Sequence, residues 1–120
     1  PVLLNSDFSM RERPEIYFAG QMTGVEGYME SAASGIIAGL ACARKLLGKE
    51  PLKLPRESML GALCAYISDP FNDGKFQPMG ANMGILPELG TRIRDKKEKY
   101  GAYAKRAIDA LTKEMERAGL

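Results

Sequence analysis

Apolar residues recur at helical spacing through the first half of the chain, in the stretch that follows Gly27. No charged residue occurs between Glu30 and Arg44, so the pattern predicts a helix that faces protein on more than one side. Gly48 is its predicted end, because glycine commonly terminates helices in a left-handed conformation. The predicted apolar stripe consists of Tyr28, Ala32, Ala33, Ile36, Ile37, Leu40, Ala41 and Leu47.

Polar and small residues add detail to this helix. Thr23 and Glu26 have capping-box spacing, in which each side chain binds a backbone N–H group at the helix start. Ser31, Gly35 and Gly39 lie four residues apart on one face, which allows another backbone to come close. We interpret that face as a helix-packing surface rather than a ligand contact.

Two further helices are predicted. One covers residues 56–68 and ends at Asp69 and Pro70, and its apolar stripe is Met59, Leu60, Leu63, Cys64 and Ile67. The other covers residues 91–118, and its apolar stripe is Tyr100, Ala104, Ala107, Ile108, Leu111 and Met115. The chain is therefore predicted to be mainly α, with three main helices.

Strand signals are few. IYFAG is short, aromatic and β-branched and closes on Gly20, so residues 16–19 are predicted to form a strand, and residues 1–5 are a second candidate. Residues 70–90 hold four glycines and three prolines without periodicity, which predicts a long loop. Their apolar content indicates that this loop is ordered and functional rather than disordered.

Composition narrows the class of protein. The chain has 120 residues, of which 45% are hydrophobic and 27% are charged, as expected for one globular domain or part of one. Histidine is absent, which excludes catalysis and metal binding by histidine within this chain. Cys42 and Cys64 lie among apolar neighbours without a CxxC motif, so we expect reduced thiols, no metal site and a cytoplasmic location. Neither a signal peptide nor a membrane span is predicted.

The charge excess lies at the end of the chain. Between Arg92 and Arg117 there are nine basic and five acidic residues, whereas the whole chain has a net charge of +2. We interpret this segment as a solvated surface helix. The alternative is an RNA-binding module, in which five cations contact tRNA phosphates: Arg92, Arg94, Lys96, Lys97 and Lys99.

Three glycines, Gly20, Gly24 and Gly27, occupy the predicted transition from strand to helix. A helix start of this kind presents unpaired N–H groups and a positive dipole end, which suit phosphate or an electron-rich ring. The spacing is GxxxGxxG rather than the GxGxxG of dinucleotide-binding loops. From these residues alone, a ligand site and a tight structural turn are equally good interpretations.

The string FAGQMTGVEGYMESAASGIIAG resembles the flavin motif of the folate-dependent, FAD-containing tRNA uracil-5 methyltransferases, once labelled glucose-inhibited division proteins. Similar words follow in order, namely ARKLLGKEP, LGALCAYIS and FQPMGANMGILP, so the resemblance covers about residues 16–87. A related flavoprotein that installs carboxymethylaminomethyl groups on tRNA is the alternative. The words TGVEGY and FQPMGANMG favour the methyltransferase.

The resemblance implies a Rossmann-like flavoprotein that transfers a one-carbon unit from methylenetetrahydrofolate to C5 of a tRNA T-loop uridine. FAD, reduced by NAD(P)H, would supply the electrons. It also implies that the helix beginning near Val25 points its N-terminus at the flavin, and that the FQPMGANMG loop closes over the same pocket. The flavin-lining residues implied by the resemblance are Gly20, Gln21, Gly24, Val25, Glu26, Gly27 and Tyr28.

Two family features do not match this chain: the amino-terminal GxGxxG loop and the reactive cysteines. The resemblance therefore implies the carboxy-terminal part of the α/β FAD-binding domain in residues 1–90, followed by an amphipathic helix in residues 91–120. We expect weak or absent FAD binding and no catalysis by the isolated chain, with no catalytic residue of its own. Expected partners are tRNA, the amino-terminal part of the same protein and, in its absence, further copies of this chain.

Overall fold

The computed structural model describes residues 2–72 and 74–120, and three α-helices dominate it. They are α1 (Tyr28–Leu46), α2 (Met59–Ser68) and α3 (Lys96–Ala118). Short 3-10 turns occur at Gln21–Thr23, Pro70–Asn72 and Met83–Ile85. The prediction of a mainly α chain with three main helices is confirmed. None of the helices within the described ranges is long and apolar enough to cross a membrane.

Local sequence accounts for several helix ends. Ser58 begins α2, because its hydroxyl accepts from the Gly61 N–H at 3.0 Å, and Asp95 begins α3 by accepting from the Glu98 N–H at 2.8 Å. Gly48 follows α1 with φ +67°, as expected for a glycine that ends a helix. The predicted start of α2 at residue 56 is three residues early, and that of α3 at residue 91 is five residues early.

The predicted strands are wrong. In the described part of the chain, β-pairing consists of isolated bridges, two of which are antiparallel and join Leu4 to Met10 and Ser9 to Tyr17. Residues 16–19 are held by single contacts, such as the Phe18 N–H to the Phe8 oxygen at 3.0 Å. Residues 3–5 pair only briefly with residues 9–11, through the Asn5 N–H to the Ser9 oxygen at 2.9 Å and the Arg11 N–H to the Leu3 oxygen at 2.8 Å, and Phe8, with φ +68°, lies in the turn between them.

One core joins the amino-terminal segment, α1 and α2. The buried residues that form it are Phe8, Val25, Ile37, Ala38, Leu63, Cys64 and Ile67. The predicted α2 stripe is confirmed, because Leu63, Cys64 and Ile67 belong to this core while Met59 and Leu60 are partly buried.

The predicted α1 stripe is only partly correct. Ile37 is buried, but Ile36 is 64% exposed and Tyr28 is 97% exposed. Instead, Ser34, Ala38 and Arg44 complete the buried face of α1. Arg44 tolerates burial because its guanidinium donates to the carbonyl oxygens of Glu50, at 2.7 Å, and Ala118, at 3.0 Å.

The predicted packing surface on α1 also differs from the structure. Added Cβ atoms at Gly35 and Gly39 would meet nothing within 4 Å, and both glycines are exposed. Within residues 2–72 and 74–120, therefore, no other backbone packs on this face. It remains an uncharged surface of the described molecule.

The predicted α3 stripe is turned away from the body of the protein. Tyr100, Ile108 and Met115 are exposed, whereas Tyr103 is buried. Charged groups fix the helix: Glu114 accepts from the Lys53 N–H at 2.6 Å, and Arg106 donates to the Pro87 oxygen at 2.6 Å. Directional polar contacts, rather than the apolar stripe, decide which face of α3 packs inward.

Candidate functional site

The three glycines form a compact turn that leads into α1, which we call the glycine turn (residues 20–27). Gly20, Gly24 and Gly27 all have positive φ, at 79°, 96° and 103°. Thr23 closes the first half of the turn, because its hydroxyl donates to the Gly20 oxygen at 2.7 Å. These backbone conformations favour glycine at all three positions.

The start of α1 differs from the predicted capping box. Gly27 is the residue that precedes the helix, and no side chain caps it. Thr23 is engaged with Gly20, while the Glu26 N–H donates to the Met79 oxygen at 2.9 Å, so neither residue can make its predicted cap. The helix starts three residues after Val25, and its first-turn N–H groups have no carbonyl partner within the helix.

Ser34 fastens the glycine turn to α1. Its fully buried hydroxyl accepts from the Gly20 N–H at 2.8 Å and donates to the Ser31 oxygen at 2.6 Å. The first residue of the turn is therefore fixed relative to the second turn of the helix. Sequence analysis missed Ser34, since a serine within an apolar helix carries no local signal for such a contact.

The loop of residues 76–84 packs directly on the glycine turn. Val25 and Met79 form a parallel bridge, in which the Glu26 N–H donates to the Met79 oxygen and the Met79 N–H donates to the Gly24 oxygen, both at 2.9 Å. The Phe76 ring lies against Gly24, where a Cβ atom would overlap it. The structure thus brings together the two segments that carry the most specific words of the resemblance.

A cavity of about 390 Å³ borders this junction. Apolar side chains from the amino-terminal segment and the 76–84 loop form most of its lining, and the glycine turn forms one edge. The lining residues that belong to the two segments are Gln21, Met22, Thr23, Gly24, Phe76 and Pro78. An apolar concavity beside exposed backbone polar groups is the usual form of a small-molecule site.

The predicted flavin-lining residues divide into two groups. Val25 is 0% exposed and belongs to the core, so it is not accessible to a ligand in this structure. Gly24 is buried beneath Phe76. The other predicted residues are accessible: Gly20 is half-buried, and Gln21, Glu26, Gly27 and Tyr28 are exposed.

The three glycines are required for different reasons. Added Cβ atoms at Gly24 and Gly27 would overlap Phe76 and the Glu30 carboxylate, respectively. A Cβ atom at Gly20 would meet nothing within 4 Å. Packing within the chain therefore explains two of the glycines, whereas the space beside Gly20 is open to a ligand.

Several features of the turn fit a flavin. The N-terminus of α1 has no side-chain cap, so its N–H groups and dipole are available to an electron-rich ring. The Ser31 hydroxyl is buried and, among the described residues, lacks a hydrogen-bond partner. An uncapped helix start, an unpartnered hydroxyl and an open Gly20 are compatible with a polar ring edge at this position.

The two thiols do not add a nucleophile to the site. Burial, together with the nearby Asp7 carboxylate, raises the pKa of Cys64 to about 12. Its thiolate is therefore scarce at neutral pH, and thiolates rather than thiols are the attacking species. Cys42 is half-buried within α1.

The five predicted RNA-binding cations are all exposed at the start of α3 or just before it. They are Arg92, Arg94, Lys96, Lys97 and Lys99. Lys96 lies over the Tyr100 ring, with its amine 5.5 Å from the ring centre. This cluster is compatible with phosphate contacts, although it lies on a different element from the glycine turn.

Comparison with known proteins gives a family and close relatives. The family described as "Glucose inhibited division protein A" matches residues 1–50. The methylenetetrahydrofolate–tRNA-(uracil-5-)-methyltransferases TrmFO of Staphylococcus aureus strains JH9, Newman and N315 are each 56% identical over 111 residues. These matches cover 92% of this chain and 26% of each relative. The chain thus spans about a quarter of the length of the relatives it matches.

Proposed function

The chain belongs to the methylenetetrahydrofolate–tRNA-(uracil-5-)-methyltransferase family, and we propose that it supplies part of the FAD site of such an enzyme. The enzyme would methylate C5 of a T-loop uridine in tRNA, with methylenetetrahydrofolate as carbon donor. The observation that carries the proposal is the 56% identity over 111 residues, a match long enough to include most of the chain.

The accessible part of the glycine turn would hold the flavin. We assign contacts to Gly20, Gln21, Glu26, Gly27 and Tyr28, whereas the buried Gly24 and Val25 would shape the turn from beneath. FAD, once reduced by NAD(P)H, would supply the electrons that convert the folate methylene into a methyl group. The chain's own contribution is to bind and orient the ring and to shield it from water.

The N-terminus of α1 would also favour negative charge on the bound ring. Its free N–H groups carry a positive partial charge that falls off within about one turn. No cationic side chain is needed for this effect, and the first turn of α1 has none. The Glu30 carboxylate lies in the same turn and offsets part of this charge, so the free N–H groups would act chiefly as hydrogen-bond donors to a polar ring edge.

Attack on the uridine would use residues outside this chain. The pKa of Cys64 is raised to about 12, so its thiolate is scarce at neutral pH, and the accessible residues of the turn include no cysteine or serine. We therefore expect no methyl transfer by these 120 residues alone. A location in the cytoplasm, where tRNA is modified, remains part of this proposal.

Titration with FAD tests the proposal, with its fluorescence as the readout. Gly20→Ala places a methyl group in the open space beside the turn and should weaken binding by about tenfold or more, the effect of losing roughly 1.4 kcal/mol. Gly48→Ala is the matched control, because Gly48 has φ +67° and a Cβ atom there would likewise meet nothing within 4 Å. Gly20 combines its positive φ with ψ −164°, a conformation almost confined to glycine, so Gly20→Ala carries the larger backbone strain and its urea unfolding is measured beside its FAD affinity.

The expected result is weak, saturable binding by the parent chain and the Gly48→Ala variant, with loss in the Gly20→Ala variant. Equal binding by all three proteins would show that the turn makes no flavin contact. If the isolated parent chain binds no FAD, the same comparison is made in the full-length enzyme, where unchanged FAD affinity of the Gly20→Ala variant would contradict the assignment.

A second role, in tRNA binding, is favoured by the exposed cations around the start of α3. Basic side chains that contact phosphates release counterions, so affinity falls as salt rises. Replacement of Lys97 and Lys99 by glutamine should reduce both the affinity for tRNA and the dependence of that affinity on salt. If the affinity for tRNA depended on salt as it does in the parent chain, this role would be contradicted.

A further inference from the structure

We propose that Glu30 is a positioning residue that holds the 76–84 loop against the first turn of α1. Its carboxylate Oε1 accepts a hydrogen bond from the Ala81 N–H at 3.0 Å. The two residues are 51 positions apart in the sequence, so this contact joins the two segments of the candidate site. The relevance of the contact to flavin binding rests on the proposed function.

Two glycines leave room for the Glu30 carboxylate. A Cβ atom on Gly27 would overlap its oxygen Oε2, and a Cβ atom on Gly80 would lie 3.5 Å from Oε1 and 3.4 Å from the Glu26 oxygen. The carboxylate therefore occupies a narrow space between the helix start and the loop. Glycine at both positions allows the loop to come this close.

The loop is attached at regular intervals, and Glu30 makes the last attachment. The Tyr66 hydroxyl donates to the Gln77 oxygen at 3.1 Å, and the backbone bridge holds Met79. Glu30 then holds Ala81, two residues further on. Without it, the loop beyond Met79 would lose its side-chain attachment to α1.

The position of Glu30 on the helix strengthens the contact. It is the third residue of α1, where the helix dipole favours a carboxylate. A charged acceptor also makes a stronger hydrogen bond with a backbone N–H than a neutral one. The carboxylate thus fixes the loop beside the same helix terminus that we assign to the flavin.

Hydrogen exchange of the Ala81 amide, measured in the full chain, tests this role directly. Glu30→Ala removes the acceptor and should accelerate exchange at Ala81 by about fivefold or more, as expected for the loss of one hydrogen bond. Glu30→Gln keeps a side-chain oxygen at the same reach and should largely retain protection. Glu30→Asp keeps the charge but shortens the side chain, and should lose protection as Glu30→Ala does.

Two controls keep the result interpretable. Amides of Leu63 and Ile67 in the core report whether each variant is folded, and Glu30→Asp provides a mild variant if Glu30→Ala does not fold. Glu116→Ala removes an exposed carboxylate from α3 and should leave Ala81 unchanged. Unchanged protection of Ala81 in the Glu30→Asp and Glu30→Ala variants would overturn the proposal.

The same variants, titrated with FAD, separate this inference from the proposed function. If Glu30 positions the site, Glu30→Ala should weaken FAD binding several-fold and Glu30→Gln should restore most of it. Faster exchange at Ala81 with unchanged FAD affinity would overturn the positioning role. If the isolated parent chain binds no FAD, the FAD titrations are made with the full-length enzyme, while exchange at Ala81 in this chain still decides whether Glu30 holds the loop.

Discussion

The glycine-turn region and α3 are attached to the protein by different forces. The turn adjoins a dry core that includes Val25 and Ile37, and backbone bridges join it to the 76–84 loop. Helix α3 buries Tyr103 but is otherwise fixed by Arg44, Arg106 and Glu114. Apolar burial does not depend on the ionisation of side chains, whereas a hydrogen bond of a charged group such as Glu114 is weakened when that group is neutralised. We therefore expect the turn to persist under conditions that loosen α3.

A matched pair of isoleucine variants should show the largest difference between the regions. Ile67→Ala empties a fully buried position and should lower the free energy of unfolding by about 2–5 kcal/mol. Ile108→Ala, at a position that is 64% exposed, should change it by less than about 0.5 kcal/mol. Urea unfolding measures the free energy change in both variants. Similar losses would show that α3 packs through its apolar stripe after all.

Arg44 connects the two regions, and its replacement should have the next largest effect. Arg44→Ala leaves two carbonyl oxygens without their donor and should cost about 2 kcal/mol. Arg44→Lys keeps the charge but loses the two-directional geometry of the guanidinium, so it should restore only part of the stability. Hydrogen exchange should show loosening at the end of α3 rather than in α2. Loss of protection throughout the core would contradict the account.

Glu114 should make the stability of α3 fall at acid pH, whereas the core has no such dependence. Its hydrogen bond with Arg117 lowers its pKa from 4.5 to about 2. The unfolded chain then binds the proton more readily, so the stabilisation is fully present above pH 4.5 and is lost as pH falls towards 2. The protection factors of α3 amides, which correct for the intrinsic effect of pH on exchange, should fall over that range, and Glu114→Gln should abolish this dependence. An identical pH profile in the variant would assign the effect to other groups.

The contrast between apolar burial and contacts of charged groups also explains how much of the structure could be predicted from the sequence. Helix α2 was predicted well, because its apolar stripe and the Asp69–Pro70 stop are local signals. The predicted faces of α1 and α3 were less accurate. The predicted apolar stripe of α1 does not include Arg44, which is buried because the carbonyl groups of Glu50 and Ala118 accept from its guanidinium.

In the candidate site, too, the segments could be identified from the sequence but the contacts between them could not. The glycine turn and the FQPMGANMG loop were identified from resemblance, and the structure joins them through Val25 and Met79. Thr23 and Glu26 match a capping box by spacing, but contacts with Gly20 and Met79 engage them instead. The attachment of Ala81 by Glu30 has no local signal, since only the folded chain brings these residues together.

We propose that the glycine turn and the 76–84 loop form one flavin-binding unit in which α3 does not take part. Hydrogen exchange with and without a high concentration of FAD tests it most directly. We predict added protection at residues 20–28 and 79–81 that saturates with FAD, with exchange along α3 unchanged. Protection confined to α3, or none at the glycine turn, would contradict the account.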